Sequence, residues 1–456
     1  MKPDHTLRWR CYTPNSLWVC LDHHPNFQKA LVNTGWLFAD KIIRLGVGLL
    51  VWTWLARYLG PEQFGLLNYA SAFVAIFAVV ASLGLNGIIV RDLVKAPDSA
   101  HTTLGTAFIL QALGGVIAFL LAMITIFVIR PDDDTAKAVV VVLGLVMILK
   151  PAEVVKFWFE SNVESKHTVW LENGAFLTFA AVKVLFILTG ASLMAFVWAT
   201  FAEGLLVAAG LLWLYGWRGG ELQAWHVRYE CAKILLKDSW PLILSGLAIM
   251  VYMRIDQIML GHMLGDQAVG VYSSAVRISE VWYFIPIAIT SSVFPSIIEA
   301  KKSNPQGYYR YLQRLYDMMV LIAVAVAVPV SLWSHWIVLY LFGDAYVDAG
   351  PVLAVHVWTS IFVFLGVASG NWFLLENMQI HAFYRTALGA VVNVLANFIL
   401  IPMLGIIGAA VGTLISQIFA AYLFDWFGGD TRRSFWLKTA SLLPFIHAIR
   451  ARGSSN

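Results

Sequence analysis

Between residues 31 and 426 the chain is a succession of apolar stretches, each about twenty residues or longer and none alternating in polarity from one residue to the next. A stretch of that length crosses a hydrocarbon layer of about 30 Å as a helix. Lipid-exposed barrel strands must alternate apolar and polar positions, and unpaired backbone is not tolerated in lipid, so helices are the spanning element. Composition agrees. Apolar residues make up 59% of the 456, and Lys, Arg, Asp and Glu only 13%, about half the roughly 25% of soluble domains. Twelve spans would consume roughly 240 to 276 residues, close to the whole apolar content. A water-soluble enzyme, a secreted disulfide scaffold and an outer-membrane barrel are excluded.

Spans are expected near 31–56, 65–90, 101–129, 137–159, 167–189 and 191–215, then 240–263, 268–297, 313–340, 350–375, 382–403 and 405–426. The fold expected is an all-α polytopic membrane protein: a tail over 1–28, a first six-helix bundle over 29–215, a linker over 216–239, a second bundle over 240–426 and a tail over 427–456. Short cytoplasmic loops hold the excess of Lys and Arg. With both termini inside, 22 of the 31 basic residues fall on cytoplasmic segments and only Arg57, Arg130 and Lys137 on external ones, the other six lying within spans. Residues 1–28 lack the apolar run and cleavage site of a signal peptide. Cys11, Cys20, His23 and His24 in that tail do not have a recognised metal-ligand spacing, and no metal site is expected. Residues 221–237 have the pattern of a surface-lying amphipathic helix with Trp225, Val227 and Cys231 on its apolar side.

The halves repeat. At an offset of 205, Leu59-Gly60 falls on Leu264-Gly265, Gly65 on Gly270 and Ala70 on Ala275, each time at the turn between the first two spans of a half. Parallel repeats of this kind form two bundles that rock about a site near the bilayer midplane.

The segment NTGWLFADKIIR (33–44), with ARYLGPEQFGLLNYASAF (56–73), LGLNGIIVRDL (83–93), RIDQIMLGHMLGDQAVGVYSSAVRISE (254–280), YLFGDAYVDAG (340–350) and LGIIGAAVGTLISQ (404–417), resembles the polysaccharide-biosynthesis flippases. These belong to the multidrug/oligosaccharidyl-lipid/polysaccharide exporter superfamily, and the resemblance runs from about residue 31 to 426. It implies a non-enzymatic carrier in a bacterial inner membrane. The implied substrate is an undecaprenyl-pyrophosphate-linked oligosaccharide for O-antigen, capsule or exopolysaccharide assembly, moved to the external leaflet by alternating access. A polymerase and a chain-length regulator of the same pathway would be its partners, with no nucleic acid and no cofactor beyond a coupling proton or sodium ion.

Charges inside spans narrow the site, because one at a span centre costs about 2.5 to 3.5 kcal/mol and normally faces a cavity or a partner. Twelve stand there: Lys41, Arg44, Lys150, Lys183, Arg254 and Arg277 against Asp40, Glu153, Glu172, Glu203, Asp256 and Glu280. Asp40 with Arg44, Lys150 with Glu153 and Arg277 with Glu280 are three or four apart and share helix faces, as local ion pairs do. Arg254 and Asp256 are about 200° apart on their helix and need partners elsewhere. Lys41 and Arg44 put two cations on one side of the first span, which suits an anion. By resemblance, Arg44, Arg254 and Arg277 are the substrate-binding candidates, with Lys41 and Lys183 behind them and Arg91 at the cytoplasmic edge. Glu203, with no basic residue a turn away, and Asp256 are candidates for ion coupling, with Asp40 beside them. Trp52, Trp54, Trp333, Trp336 and Tyr340 read as an external aromatic belt, of which one or two could stack on sugar.

Two rivals are weaker. A cation-coupled multidrug exporter of the same superfamily needs an acidic cavity rather than arginines, and a polymerase or ligase needs a larger external loop than 130–137. No P-loop pattern points to ATP.

Overall fold

The computed structural model describes the backbone of residues 25–303 and 305–443 and the side chains of residues 43–294, 296–302 and 307–443. The tail with its two cysteines lies outside them, as do the side chains of Asp40 and Lys41. Every described element is helical: α1 Pro25–Ser82, α2 Asn86–Lys95, α3 Ala100–Ile129, α4 Asp134–Gly144, α5 Glu153–Ser161, α6 Lys166–Thr189 and α7 Leu193–Trp217 in the first half. The second half has α8 Tyr229–Met263, α9 Asp266–Glu280, α10 Phe284–Ser303, α11 Pro305–Leu332, α12 Ser334–Phe342, α13 Ala349–His356, α14 Thr359–Leu375, α15 Gln379–Leu404 and α16 Ile406–Ile418, followed by α17 Arg432–Leu442.

Ten helical segments are long and apolar enough to cross a membrane, eleven if the bent pair Asp266–Phe294 and Ser296–Lys302 is one span. Twelve were expected. The difference arises at Gly60, where the backbone leaves helical geometry (φ 70°, ψ 170°) inside the continuous element α1. Gly265 between α8 and α9 takes the same conformation (φ 88°, ψ 176°). Only glycine adopts such angles freely, so positions related by the 205-residue offset make the same bend.

The bends bring the halves together at what we call the turn end. The most extensive packing in the molecule joins α1 to α9. Gly65 and Gly270 face each other there so closely that a methyl group on Gly65 would collide with the Asp266 carbonyl and one on Gly270 with the Pro61 carbonyl. Arg130, at the end of α3, straps this contact: it donates to both Asp266 carboxylate oxygens (2.7 and 3.0 Å) and to the Gly261 carbonyl (2.9 Å). Its guanidinium lies 3.8 Å from the centre of the Tyr69 ring. Apolar packing runs unbroken across the halves at this end, through Phe64, Tyr69, Phe73, Tyr272, Phe342 and Tyr346. At the opposite, linker end it divides into two cores, one around Phe159, Leu211 and Tyr215 and another around Tyr308, Tyr316 and Trp372.

Two expectations are corrected here. Residues 221–237 do not form a separate surface helix: after a 3₁₀ turn at Leu222–Ala224 the chain is extended to Arg228, and residues 229–239 are the first turns of α8, which runs without interruption to Met263. Nor is the segment after 427 simply a tail, since α17 folds back onto the second half. It buries Lys438 completely, with the ammonium on the Asp425 carboxylate (2.7 Å) and the Ala421 carbonyl (2.7 Å). That carbonyl belongs to a π-helical turn, Phe419–Leu423, whose wider spacing disturbs the regular ladder. Burial pushes the Lys438 ammonium down to about 8, although Asp425 opposes the shift.

The glycine contact generates a stability prediction. Gly65→Val should cost about 3 kcal/mol or more, because backbone rather than a yielding side chain meets the new group. Gly46→Ala, where a Cβ meets nothing within 4 Å, should stabilise by up to about 1 kcal/mol through helix propensity. Thermal unfolding of the two purified variants measures both.

Candidate functional site: a cationic cavity between the halves

A cavity of about 240 Å³ opens below the turn-end contact, walled by α1, α4, α6 and α7 from the first half and by α9 from the second. Its polar lining is Asn68, Ser71, Lys183, Thr200 and Arg277, with the Trp52 ring among the apolar walls. Of the residues singled out from sequence, Lys183 and Arg277 therefore meet in one place. Lys183 is neutralised by Glu203 at 3.0 Å, the two side chains being 18% and 21% exposed. Arg277 makes no ion pair among the described residues; its guanidinium sits 5.7 Å from the centre of the Trp52 ring.

The expected Arg277–Glu280 pair is not made. Glu280 ends α9 and pairs across to Arg254 on α8 at 3.8 Å, so two of the candidate cations differ in kind. Arg254 is committed to a carboxylate, and Arg277 faces open space. Lys150 and Glu153 do pair, at 2.7 Å, around a 3₁₀ turn at Lys150–Ala152 that separates α4 from α5. Arg44 stands 3.4 Å from Glu172, a carboxylate it shares with Lys156 at 3.0 Å. It also lies 5.5 Å from the centre of the Phe176 ring, whose side chain lines the cavity. Arg91 is remote from the cavity. It pairs with its neighbour Asp92 and joins α2 to α8 at the linker end through Asp238, both at 2.7 Å.

The two carboxylates proposed for coupling sit in different halves and different surroundings. Glu203 lines a second cavity of about 270 Å³ with Lys150, Glu153 and Thr200, and Thr200 is common to both cavities, so the Lys183–Glu203 pair lies between them. Asp256 is 3% exposed and has no cation within ion-pair distance among the described residues. It accepts from the Tyr272 hydroxyl, from the Gln257 amide at 2.8 Å and from the Thr413 hydroxyl at 3.3 Å. One turn further along the α15–α16 interface, Asn393 and Asn397 share a hydrogen bond (2.8 Å) and Asn393 donates to Ser416 (3.2 Å). The Asn397 amide oxygen is buried and receives no hydrogen bond from the described residues. This is a hard-oxygen cluster, suited to a proton or a small hard cation rather than to a soft metal. No group of three His, Cys, Asp or Glu side chains with metal-holding geometry occurs among the described residues.

Sequence reasoning placed Trp52 in the interfacial belt. It is instead an interior ring, edge-on to Phe64 at 4.6 Å and Phe342 at 5.8 Å. Asn68, Ser71 and Thr200 were missed, although a polar residue in the middle of an apolar span is itself a visible signal. The Tyr272 and Thr413 partners of Asp256 were out of reach, because they come from two other helices.

A helical membrane carrier with an interior cavity split between two halves is the class these features define. The chain matches the polysaccharide biosynthesis protein family over residues 30–301 and the MatE family over residues 241–399. It belongs to the polysaccharide-biosynthesis family of the multidrug/oligosaccharidyl-lipid/polysaccharide exporter superfamily, a family of membrane transporters and not of enzymes. Among curated relatives, the "Probable low-salt glycan biosynthesis flippase" of Haloferax volcanii is 24% identical over 83% of this chain and 79% of its own length. A lipopolysaccharide biosynthesis protein of Escherichia coli K12 is 21% identical over 86% and 79%. Among solved structures, an inward-facing multidrug resistance MATE transporter superposes with a TM-score of 0.70 at 19% identity, covering 88% of this chain and 96% of that one. The lipid II flippase MurJ in an inward closed conformation gives 0.68 at 12% identity, over 91% of each chain. These likenesses show the fold.

The pairing pattern separates structural from free cations. Lys183→Ala strands the half-buried Glu203 carboxylate and should cost about 3 to 5 kcal/mol of stability. Arg277→Ala strands no carboxylate among the described residues and should change stability by less than about 1 kcal/mol. Unfolding midpoints of the two variants, read against the parent, check the contrast.

Proposed function

We propose that this chain carries an undecaprenyl-pyrophosphate-linked oligosaccharide from the cytoplasmic to the external leaflet for assembly of a surface polysaccharide. The observation that supports it is Arg277: a guanidinium with no carboxylate partner among the described residues, facing Lys183 across a cavity shared by the two halves. A pyrophosphate needs more than one cation, and a guanidinium fork holds phosphate oxygens bidentately. In this reading Arg277 and Lys183 take the phosphates, with Glu203 giving up Lys183 as substrate arrives. Arg44 and Lys41 lie further along the first span on the path inward, and Arg91 meets headgroups at the linker end. Trp52 offers an aromatic face to a sugar, and Asn68 and Ser71 offer hydrogen bonds. The curated relatives named for flippase activity, lipopolysaccharide biosynthesis and O-antigen transport agree with such a substrate. A multidrug exporter of cationic drugs would set Arg277 against its own substrate.

The transport cycle proposed is alternating access between bundles over 29–215 and 240–426. We count twelve spans in this reading. The segment Ile43–Lys95 holds 53 residues, about 80 Å of helix and more than twice a hydrocarbon core, so it counts as two spans bent at Gly60. With the bent pair Asp266–Phe294 and Ser296–Lys302 as one span, the total is twelve, and both termini fall on the side of the basic loops. The turn end is then external and closed, and the linker end, where the cores are divided, is the cytoplasmic mouth. Breaking the Arg130–Asp266 strap and closing the linker end would deliver the substrate outward.

Two experiments bear on this reading. Arg277→Ala should abolish surface polysaccharide with membrane levels of the protein intact, and Arg277→Lys should restore part of it, measured by gel analysis of polymer against immunoblot. Normal polymer in Arg277→Ala would refute the assignment. For coupling, Asp256 is the carboxylate we favour, because no cation among the described residues pairs with it and buried hydroxyl and amide groups surround it. Transport in proteoliposomes should respond to an imposed proton or sodium gradient, and Asp256→Asn should remove that response; wild-type transport indifferent to both gradients would overturn it.

A further inference from the structure

At the turn end, away from the central cavity, α1 and α12 enclose a groove of about 660 Å³ that opens to the side of the bundle. One wall comes from the first half and the other from the second. Leu50, Trp54 and Arg57 fall on one face of α1 at helical spacing, and Trp336, Leu339 and Tyr340 come from α12. The lining is apolar and much of it is exposed: Leu50 is 57% accessible, Trp54 51%, Trp336 66% and Tyr340 83%. Thr53, the one hydroxyl side chain on the α1 wall, is satisfied within its own helix by the Leu49 carbonyl (2.8 Å), so it adds no polar demand. The volume lies within the roughly 300–1,000 Å³ of ligand cavities.

The single charge of the groove is Arg57. It donates to the Tyr340 carbonyl, which fixes the guanidinium against both walls, and it has no carboxylate partner among the described residues. The other Lys and Arg side chains described at this end are neutralised: Arg130 by Asp266 and Asp133, and Lys137 by Asp134. Three exposed aromatic rings beside one uncompensated cation, at the end of a spanning helix, match the headgroup level of a bilayer.

We propose that this groove seats an anionic phospholipid of the leaflet at the turn end, its phosphodiester on Arg57 and an acyl chain along Leu50, Trp54 and Leu339. One guanidinium balances one singly charged phosphodiester. A pyrophosphate carries more charge than a lone cation offset by a carbonyl can hold, which sets this site apart from the central cavity. Because the walls belong to different halves, a seated lipid bridges them and favours the arrangement in which the turn end is closed.

Native mass spectrometry of the purified full chain, titrated in parallel with phosphatidylglycerol and phosphatidylcholine, tests the site. The wild type should retain phosphatidylglycerol in preference to phosphatidylcholine. Arg57→Gln should weaken phosphatidylglycerol retention about five-fold, the effect of one basic residue at a lipid surface, and Arg57→Lys should recover most of it. Leu50→Trp, which fills the groove and leaves the charge, should weaken both lipids. Arg228→Gln, the same charge change in the extended linker, should leave retention at the wild-type level. Equal retention of the two lipids by the wild type, or undiminished phosphatidylglycerol retention in both Arg57→Gln and Leu50→Trp, would overturn the proposal.

Discussion

Backbone meets backbone where Gly65 passes Gly270, and much else in the molecule follows from that contact. Two helices that touch through their main chains sit closer than side chains would let them, so the second arm of α1 and α9 form a tight crossing at one end of the bundle. The aromatic core can then run from one half into the other, and Arg130 is near enough to reach the Asp266 carboxylate and the Gly261 carbonyl together. Toward the linker end the halves meet where the start of α8 passes Gly84 and pairs Asp238 with Arg91, and the apolar cores separate. The central cavity lies between these regimes, with a wall from each half.

Electrostatics then sorts the charges that the apolar spans carry. Most have been claimed: Lys183 by Glu203, Lys150 by Glu153, Arg254 by Glu280, and Lys156 and Arg44 by a shared Glu172. In a low-dielectric interior a claimed cation is held in place, because releasing it exposes its partner to the cost of desolvation; of these pairs, Lys183 with Glu203 is the one that borders the central cavity, where an arriving phosphate would compete for the ammonium. Arg277 and Asp256 escape this arrangement in opposite ways, one looking into a cavity and the other held by hydroxyls and a backbone amide. That contrast makes the first a candidate for substrate and the second for the coupling ion.

Much of the architecture was legible in the sequence because a bilayer imposes a length and a polarity on every span. The offset repeat was legible too, since the glycines at 60 and 265 answer the same conformational demand. Helix spacing reported Lys150–Glu153 correctly, as both lie around one turn. It failed for Arg277 and Glu280: spacing says which side chains share a face but not which helix lies opposite, and Arg254 was opposite. The same limit hid the Thr413 and Tyr272 partners of Asp256 and moved Trp52 from the belt to the interior. The docking of α17 was illegible for a further reason. Its apolar periodicity is weak, and what holds it is one buried ammonium, a π-helical carbonyl and small hydroxyls that no hydrophobic pattern marks.

The buried pair of Lys438 with Asp425 also bears on how the chain is made. Asp425 closes the last apolar segment, and its counter-ion lies thirteen residues later, so during synthesis the carboxylate reaches the membrane before the ammonium has left the ribosome. Until α17 emerges and folds back, that carboxylate must stay hydrated, and the π-helical turn beside it lacks the donor that occupies the Ala421 carbonyl in the finished protein. The final span is thus settled in its place only after translation has passed it.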